Sequence, residues 1–347
     1  MPLAEVRTHG RLPKFMRPFK MARMKLITAL GLVVSLCMGP LSVNAQSAAF
    51  PNKPVRIIVP FAPGGNVDVT ARVVGAAMSR LLGQTLVIEN RVGAGGKVGA
   101  EAAMKSAADG YTLMMGSNSS LSVAPNIYKD WPYDPVQGIA PVSHLANVPF
   151  VLVTRPNLGV RTVAELIQLA KQKPGGLTMA SAGNGTSNHL VGEFFQALTG
   201  TQLLHVPYKG AGPALQDVMA GRVDVLFDQV SSSSAFIEQG KLIPVAVSSA
   251  QRWASMPVVP TFTEAGVAGF VIQNFTGLVA PVGTPPEVIT VLNKAAVEAL
   301  QDEAVRKSFA SMGVVAVGGT PLAFGQLIRE DLQRWSQLIR DKGIKVD

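Results

Sequence analysis

Hydrophobic and polar positions along this chain switch repeatedly between two periods. "PVRIIVPF" (54–61) is a short apolar, β-branched run, the pattern of a strand buried on both faces. "DVTARVVGAAMSRLLG" (68–83) then repeats its apolar residues at helical spacing and closes with Gly83. "QTLVIENR" (84–91) predicts a strand, "VGAEAAMKSA" (98–107) a helix and "YTLMMGS" (111–117) another strand. Strands alternating with helices predict a parallel or mostly parallel sheet with helices on its faces.

The pattern restarts at "FVLVTRP" (150–156). Helices are expected over 162–172 and 186–200 and, shorter, near 212–220 and 232–239. Strands are expected over 176–183, 202–210, 223–228 and 242–249. After residue 265 an extended segment (269–283) leads into three helices, 285–301, 303–312 and 321–342. So many helices with one strand do not make a sheet of their own, so they are expected to pack back on the first unit. The predicted fold is therefore α/β with two lobes. Residues 46–149 and 270–347 form the first, 150–269 the second, with crossovers near 145–155 and 265–280. Ligands of open α/β sheets sit at the carboxyl ends of strands, and two such edges facing each other make a cleft.

Residues 1–45 read as a signal peptide. A basic stretch ends at "MARMK", a 13-residue apolar run fills 26–38, and Val43-Asn44-Ala45 offers small residues at the end positions a signal peptidase reads. Cleavage is expected after Ala45, with Met1, Met21 or Met24 as the start. The run is short for a bilayer-spanning helix. The formal charge of +9 is concentrated here: residues 1–45 hold seven Lys/Arg against Glu5, which leaves 24 basic and 21 acidic residues beyond them. So even a balance, with 6% aromatic residues, gives no nucleic-acid surface. Cys37, the one cysteine, lies in the apolar run, so the mature chain has no disulfide, zinc-thiolate site or cysteine nucleophile.

Two strand–glycine–helix junctions carry the candidate chemistry, "PFAPGGNVD" (60–68) and "SAGNGTSNH" (181–189). Gly64, Gly65, Gly183 and Gly185 allow close backbone approach, and the first N–H groups of the following helix form an anion site. For one such loop a tight turn explains the glycines equally well; two at corresponding places favour a facing pair. "VGAGGKVGAE" (92–101) has Val98 where a dinucleotide fingerprint needs its third glycine, and Lys97 is not followed by Ser or Thr as in a P-loop. There is no G-x-S-x-G elbow, and His144, His189 and His205 lack metal-site spacing, so no catalytic residue, metal or cofactor is expected. His189 falls on the first turn of a predicted helix, in reach of a ligand or serving as a hydrogen-bonded structural histidine. Ser117, Asn118 and Ser119, then Tyr208, Lys209 and Gly210, and then Asp228 follow strand ends and are candidates for the cleft or for an edge loop. Asp228 suits a ligand amine or hydroxyl, or a helix cap.

Taken in order, "FPNKPVRIIVPFAPGGNVDVTAR", "VIENRVGAGGKVGAEAAMKSAADGYTLMMGS", "ASAGNGTSNHLVGEFF", "HVPYKGAGPALQDVMAGRVDVLFD" and "GLVAPVGTPPEVITVLN" resemble the receptors of tripartite tricarboxylate transporters, the Bug family. The resemblance spans essentially the whole mature chain. It implies a monomeric periplasmic binding fold of type II-like, two-lobed form that closes on a small carboxylate: a di- or tricarboxylate, an aromatic acid or an acidic amino acid. It implies that the loops grip one carboxylate from opposite lobes through Phe61, Ala62, Gly64, Gly65 and Asp68, and through Ser181, Ala182, Gly183, Asn184, Gly185 and Thr186. Asn66 stands at a variable position of the first loop. Ser117, Asn118, His189, Tyr208 and Asp228 are the residues expected to read the rest of the ligand. The implied partners are membrane permease subunits; a receptor signalling to a two-component sensor kinase is the alternative.

Overall fold

The computed structural model describes residues 50–343. The signal segment and its expected cleavage site lie outside the described residues. Strand β1 (Val55–Val59) leads through the first glycine loop into helix α1 (Asn66–Leu82). Gly65, in extended conformation, starts α1 and Gly83, in the left-handed region, ends it. Strand β2 (Leu86–Asn90), helix α2 (Lys97–Met104) and strand β3 (Thr112–Ser117) follow. A π-helical turn (Ser119–Val123) then runs into the short helix α3 (Ala124–Ile127).

The next strand is much longer than the apolar pattern predicts. Strand β4 runs from Ile139 to Thr154. Its first part contains Pro141, Ser143, His144, Asn147 and Pro149, which hide the strand in the sequence, and register shifts between Pro141 and Ser143 and between His144 and Ala146 accommodate them. The second half of the chain supplies α4 (Val163–Gln172), β5 (Thr178–Ser181), α5 (Ser187–Thr199), β6 (Leu204–Pro207), α6 (Ala211–Met219), β7 (Val225–Gln229), α7 (Val230–Glu238) and β8 (Ile243–Val247). Strand β9 (Gln273–Pro281), helices α8 (Pro286–Ala299) and α9 (Glu303–Ser311), strand β10 (Val315–Ala316) and helix α10 (Pro321–Lys342) complete it. The two-residue β10, which pairs with β4, is an element the sequence pattern does not announce.

Strand β4 belongs to two sheets. From Ile139 to Pro149 it pairs antiparallel with β9, which in turn pairs antiparallel with β3; β1 lies parallel between β3 and β2. From Phe150 to Thr154 it pairs antiparallel with β7 and, on its other edge, with β8; β5 and β6 extend the β7 side in parallel. Each sheet is covered on both faces. Beside the second, Phe195, Phe227, Phe262 and Phe270 form an aromatic cluster in which the Phe262 and Phe270 centroids lie 4.2 Å apart. Truncating any one of these rings to alanine would cost about 3–5 kcal/mol. Helix α10 contributes to both lobes: Phe324 and Ile328 pack with Ile58, Met114 and Val279, whereas Trp335 packs with the second sheet's apolar cluster.

Candidate functional site

The first glycine loop is held by a carboxylate. Asp68, buried in the first turn of α1, accepts from the Gly64 N–H (3.0 Å), from Arg72 (3.1 Å) and from Asn90 Nδ2 (2.9 Å). Burial pushes its carboxyl up; the hydrogen bonds from Arg72, Gly64 and Asn90 outweigh that and hold it below the usual carboxylate range. Asn90 Nδ2 also donates to the Phe61 carbonyl at 3.0 Å, tying the loop to the end of β2. The Asp68 carboxylate oxygens are thus committed to the loop itself.

The second glycine loop is held by hydroxyls and imidazoles. The Gly183 N–H donates to Ser181 Oγ (3.1 Å), which lies 2.6 Å from His205 Nε2. The Ser181 hydroxyl thus bridges the loop backbone and the His205 ring. Thr186 caps α5 through the His189 N–H and donates its own hydroxyl to the Gly183 carbonyl (2.7 Å). The Gly185 N–H donates to His189 Nδ1 at 3.3 Å, which leaves the ring proton on Nε2, facing Glu193 at 3.5 Å. The rings of His189 and His205 stack with centroids 3.7 Å apart and planes 6° from parallel. Desolvation, then repulsion from His189, holds the His205 imidazole down to about 4.

Each loop meets another segment of the chain across the cleft. Ala62 N–H donates to the Lys209 carbonyl (3.1 Å), and the Tyr128 hydroxyl donates to the Asn184 carbonyl (2.9 Å). Ser119 Oγ accepts from the Ser187 N–H (2.9 Å) and lies 2.6 Å from Ser187 Oγ. Glycine is required where backbones touch. A Cβ on Gly210 (φ +150°) would lie 2.7 Å from Ala62 N, and one on Gly95 (φ +62°) 2.4 Å from the Asn184 carbonyl oxygen. The third glycine-rich stretch thus serves close packing against the second loop.

Between the loops lies a cavity with about 20 Å³ open to a water centre. It is lined by Phe61, Gly65, Asn66, Val67 and Asp68 from the first loop, by Ser117 and Ser119 beyond β3, and by Ala182, Asn188, Ala211 and Gln229 from the second lobe. The first turns of α1, α5, α6 and α7 therefore converge on one space, and α1, α6 and α7 have no side-chain cap. No lysine or arginine is among the lining residues.

Of the residues singled out in the sequence, Phe61, Gly65, Asn66, Asp68, Ser117 and Ala182 line this cavity. Ala62, Gly64, Ser181, Gly183, Asn184, Gly185, Thr186 and His189 sit behind it in the bonds just described. Asn118 is fully buried beside Ser117, with both side-chain polar atoms unpartnered. The Tyr208 hydroxyl donates to Asp217 at 2.6 Å, away from the lining residues. Asp228 faces the start of α7, where it accepts from Ser232 (2.5 Å) and Ser233 (2.6 Å); burial raises its pKa in spite of those bonds. Ser119, a candidate from the sequence, also lines the cavity, whereas Asn188, Ala211 and Gln229 escaped the sequence reading. Asn188 and Ala211 are first-turn positions of helices that the pattern does predict, and Gln229 is one register step beyond Asp228.

Known proteins resemble this chain in sequence and fold. Residues 70–344 match the family described as tripartite tricarboxylate transporter family receptor. Protein BugT of Bordetella pertussis is 38% identical over 323 residues, 93% of this chain and 98% of that one. The solved structure of the periplasmic binding protein BugD superposes with a TM-score of 0.83 at 31% identity, covering 85% of this chain and 99% of that chain. Rpa4515 of R. palustris, solved with adipate, gives a TM-score of 0.82 at 34% identity over 85% of this chain and 99% of its own. With its two sheets joined through β4, the structure has the two-lobed periplasmic binding protein fold, and the chain belongs to the tripartite tricarboxylate transporter receptor family.

Proposed function

We propose that this protein is a periplasmic solute receptor that captures a small carboxylate between its lobes, closes on it by a hinge motion and delivers it to the membrane permease subunits of a tripartite tricarboxylate transporter. The observation that carries this reading is the meeting of four helix N-termini on one cavity without a cation in its lining. Free N–H groups with aligned dipoles behind them favour an anion. A carboxylate supplies its own charge to those hydrogen bonds. With no arginine clamp, water replaces the donors on opening, which suits a carrier that must let go. Adipate in the related Rpa4515 supports the same ligand class, and the apolar run over 26–38 supports export. The reading assigns 46–149 with 270–347 to one lobe and 150–269 to the other, hinged where β4 changes sheets and where β9 begins; binding involves no turnover.

Calorimetry and thermal melting of the exported protein against mono-, di- and tricarboxylates, aromatic acids and amino acids test it. At least one carboxylate is expected to bind and raise the melting temperature. Response to neutral solutes alone would break the reading.

A further inference from the structure

One cavity-lining polar group is unspent. Asn66, the first residue of α1, is 3% exposed. Its Oδ1 accepts from the Ser231 hydroxyl of α7, across the cleft, at 2.6 Å. Its Nδ2 has no partner, and among the lining side chains it is the one buried polar atom left in that state. Three other polar side chains around it are engaged: Ser119 with Ser187, Asn188 with the Phe227 carbonyl at 2.8 Å, and Asp68 within its own loop. A buried amide N–H without an acceptor is costly, and native structures rarely leave one idle.

Ser231 also fixes which way the amide faces. Because its hydroxyl donates to Oδ1, the NH₂ end of Asn66, on a residue that lines the cavity, is the end left without a partner. The contact joins the two lobes, so the donor is oriented only when they are closed. It stands at the start of α1, beside the free N–H groups proposed above to take a carboxylate.

We infer that Asn66 is the specificity-determining donor of the cleft, oriented by Ser231 as its positioning residue, and that it selects carboxylates carrying a hydrogen-bond acceptor (a hydroxyl, a carbonyl or a ring nitrogen) close to the bound carboxylate. This inference rests on the receptor reading given under Proposed function. An analogue without the acceptor would close the lobes over an unpaired amide, and sites built around such a donor discriminate against the missing partner.

Matched pairs differing in one acceptor test it: lactate against propionate, malate against succinate, nicotinate against benzoate. Calorimetry on the wild-type protein is expected to show a preference of about tenfold or more for the acceptor-bearing member in at least one pair. Asn66→Leu should bring that preference within twofold, and Ser231→Ala should cut it at least threefold by weakening the acceptor-bearing member more than its partner. A purely structural role for either residue would weaken both members alike. Equal binding of both members in every pair, or a preference that survives Asn66→Leu or Ser231→Ala, overturns the inference and leaves the receptor reading standing. If no carboxylate in any pair or in the wider panel binds, both fall together.

Discussion

The two glycine loops occupy equivalent places in the two lobes, yet they are held by different chemistry. The first is organised by Asp68, an ionised carboxylate gripping Gly64, Arg72 and Asn90. The second is organised by Ser181, Thr186 and the stacked pair His189 and His205. Matching backbone shapes therefore do not require matching supports. They do give the loops different sensitivities: one depends on a charge that persists through the neutral range, the other on the His205 imidazole staying unprotonated.

The strongest way to break the comparison is to remove the carboxylate. Asp68→Ala strands the Gly64 N–H and the Asn90 amide in a largely buried site. Because Arg72 is 51% exposed and keeps water as a partner, the expected loss is moderate, roughly 2–4 kcal/mol of stability in urea unfolding. Ligand affinity should fall with it. Unchanged stability would mean that Asp68 does not organise the loop.

Titration separates the loops without mutation. In the fold His205 is depressed from 6.5 to about 4, so the unfolded chain takes up that proton first as pH falls. The neutral His205 contribution is full well above pH 6.5 and is lost as pH drops toward 4. Asp68 is depressed below 3.8, so most of its contribution persists at pH 4 and is lost mainly below. Thermal melting between pH 7 and pH 4 is therefore expected to show a fall that His205→Gln flattens and Asp68→Ala leaves in place. A slope unaffected by His205→Gln would reject this assignment.

The smallest effect is expected from Tyr208→Phe. The lost hydroxyl served Asp217, not the lining, so stability should change by about 1 kcal/mol or less and ligand affinity should hold. A large loss of affinity would move Tyr208 into the binding surface.

What was readable in the sequence follows from what is local. Strand and helix periods placed most elements within a few residues, and the glycine junctions marked both loops. Strand β4 was half hidden because its polar and proline positions lie in a stretch with no apolar alternation, and its identity as a strand comes from pairing with β9. Ser119 was visible as a position after a strand end, but the π-helical turn that carries it was not, and Gln229 arrives through the parity of β7's last residues. Asn66 was visible as a loop position, but its free amide depends on Ser231, which is remote in sequence. Tertiary partners, not local pattern, decide which polar atoms are left over.

Helix α10 gives the hinge a third element to reckon with. Its early residues, Phe324 and Ile328, are seated in one lobe and Trp335 in the other, with Asp331 between them accepting from Ser122. Strands can bend at a joint; a continuous helix acts as a splint. The lobes are consequently not free to gape in any direction. Any movement that separates the two anchorages must pull either Phe324 and Ile328 or the Trp335 ring out of its apolar cluster. On the proposed receptor reading, the path of opening is narrowed by a helix that is absent from the cavity lining.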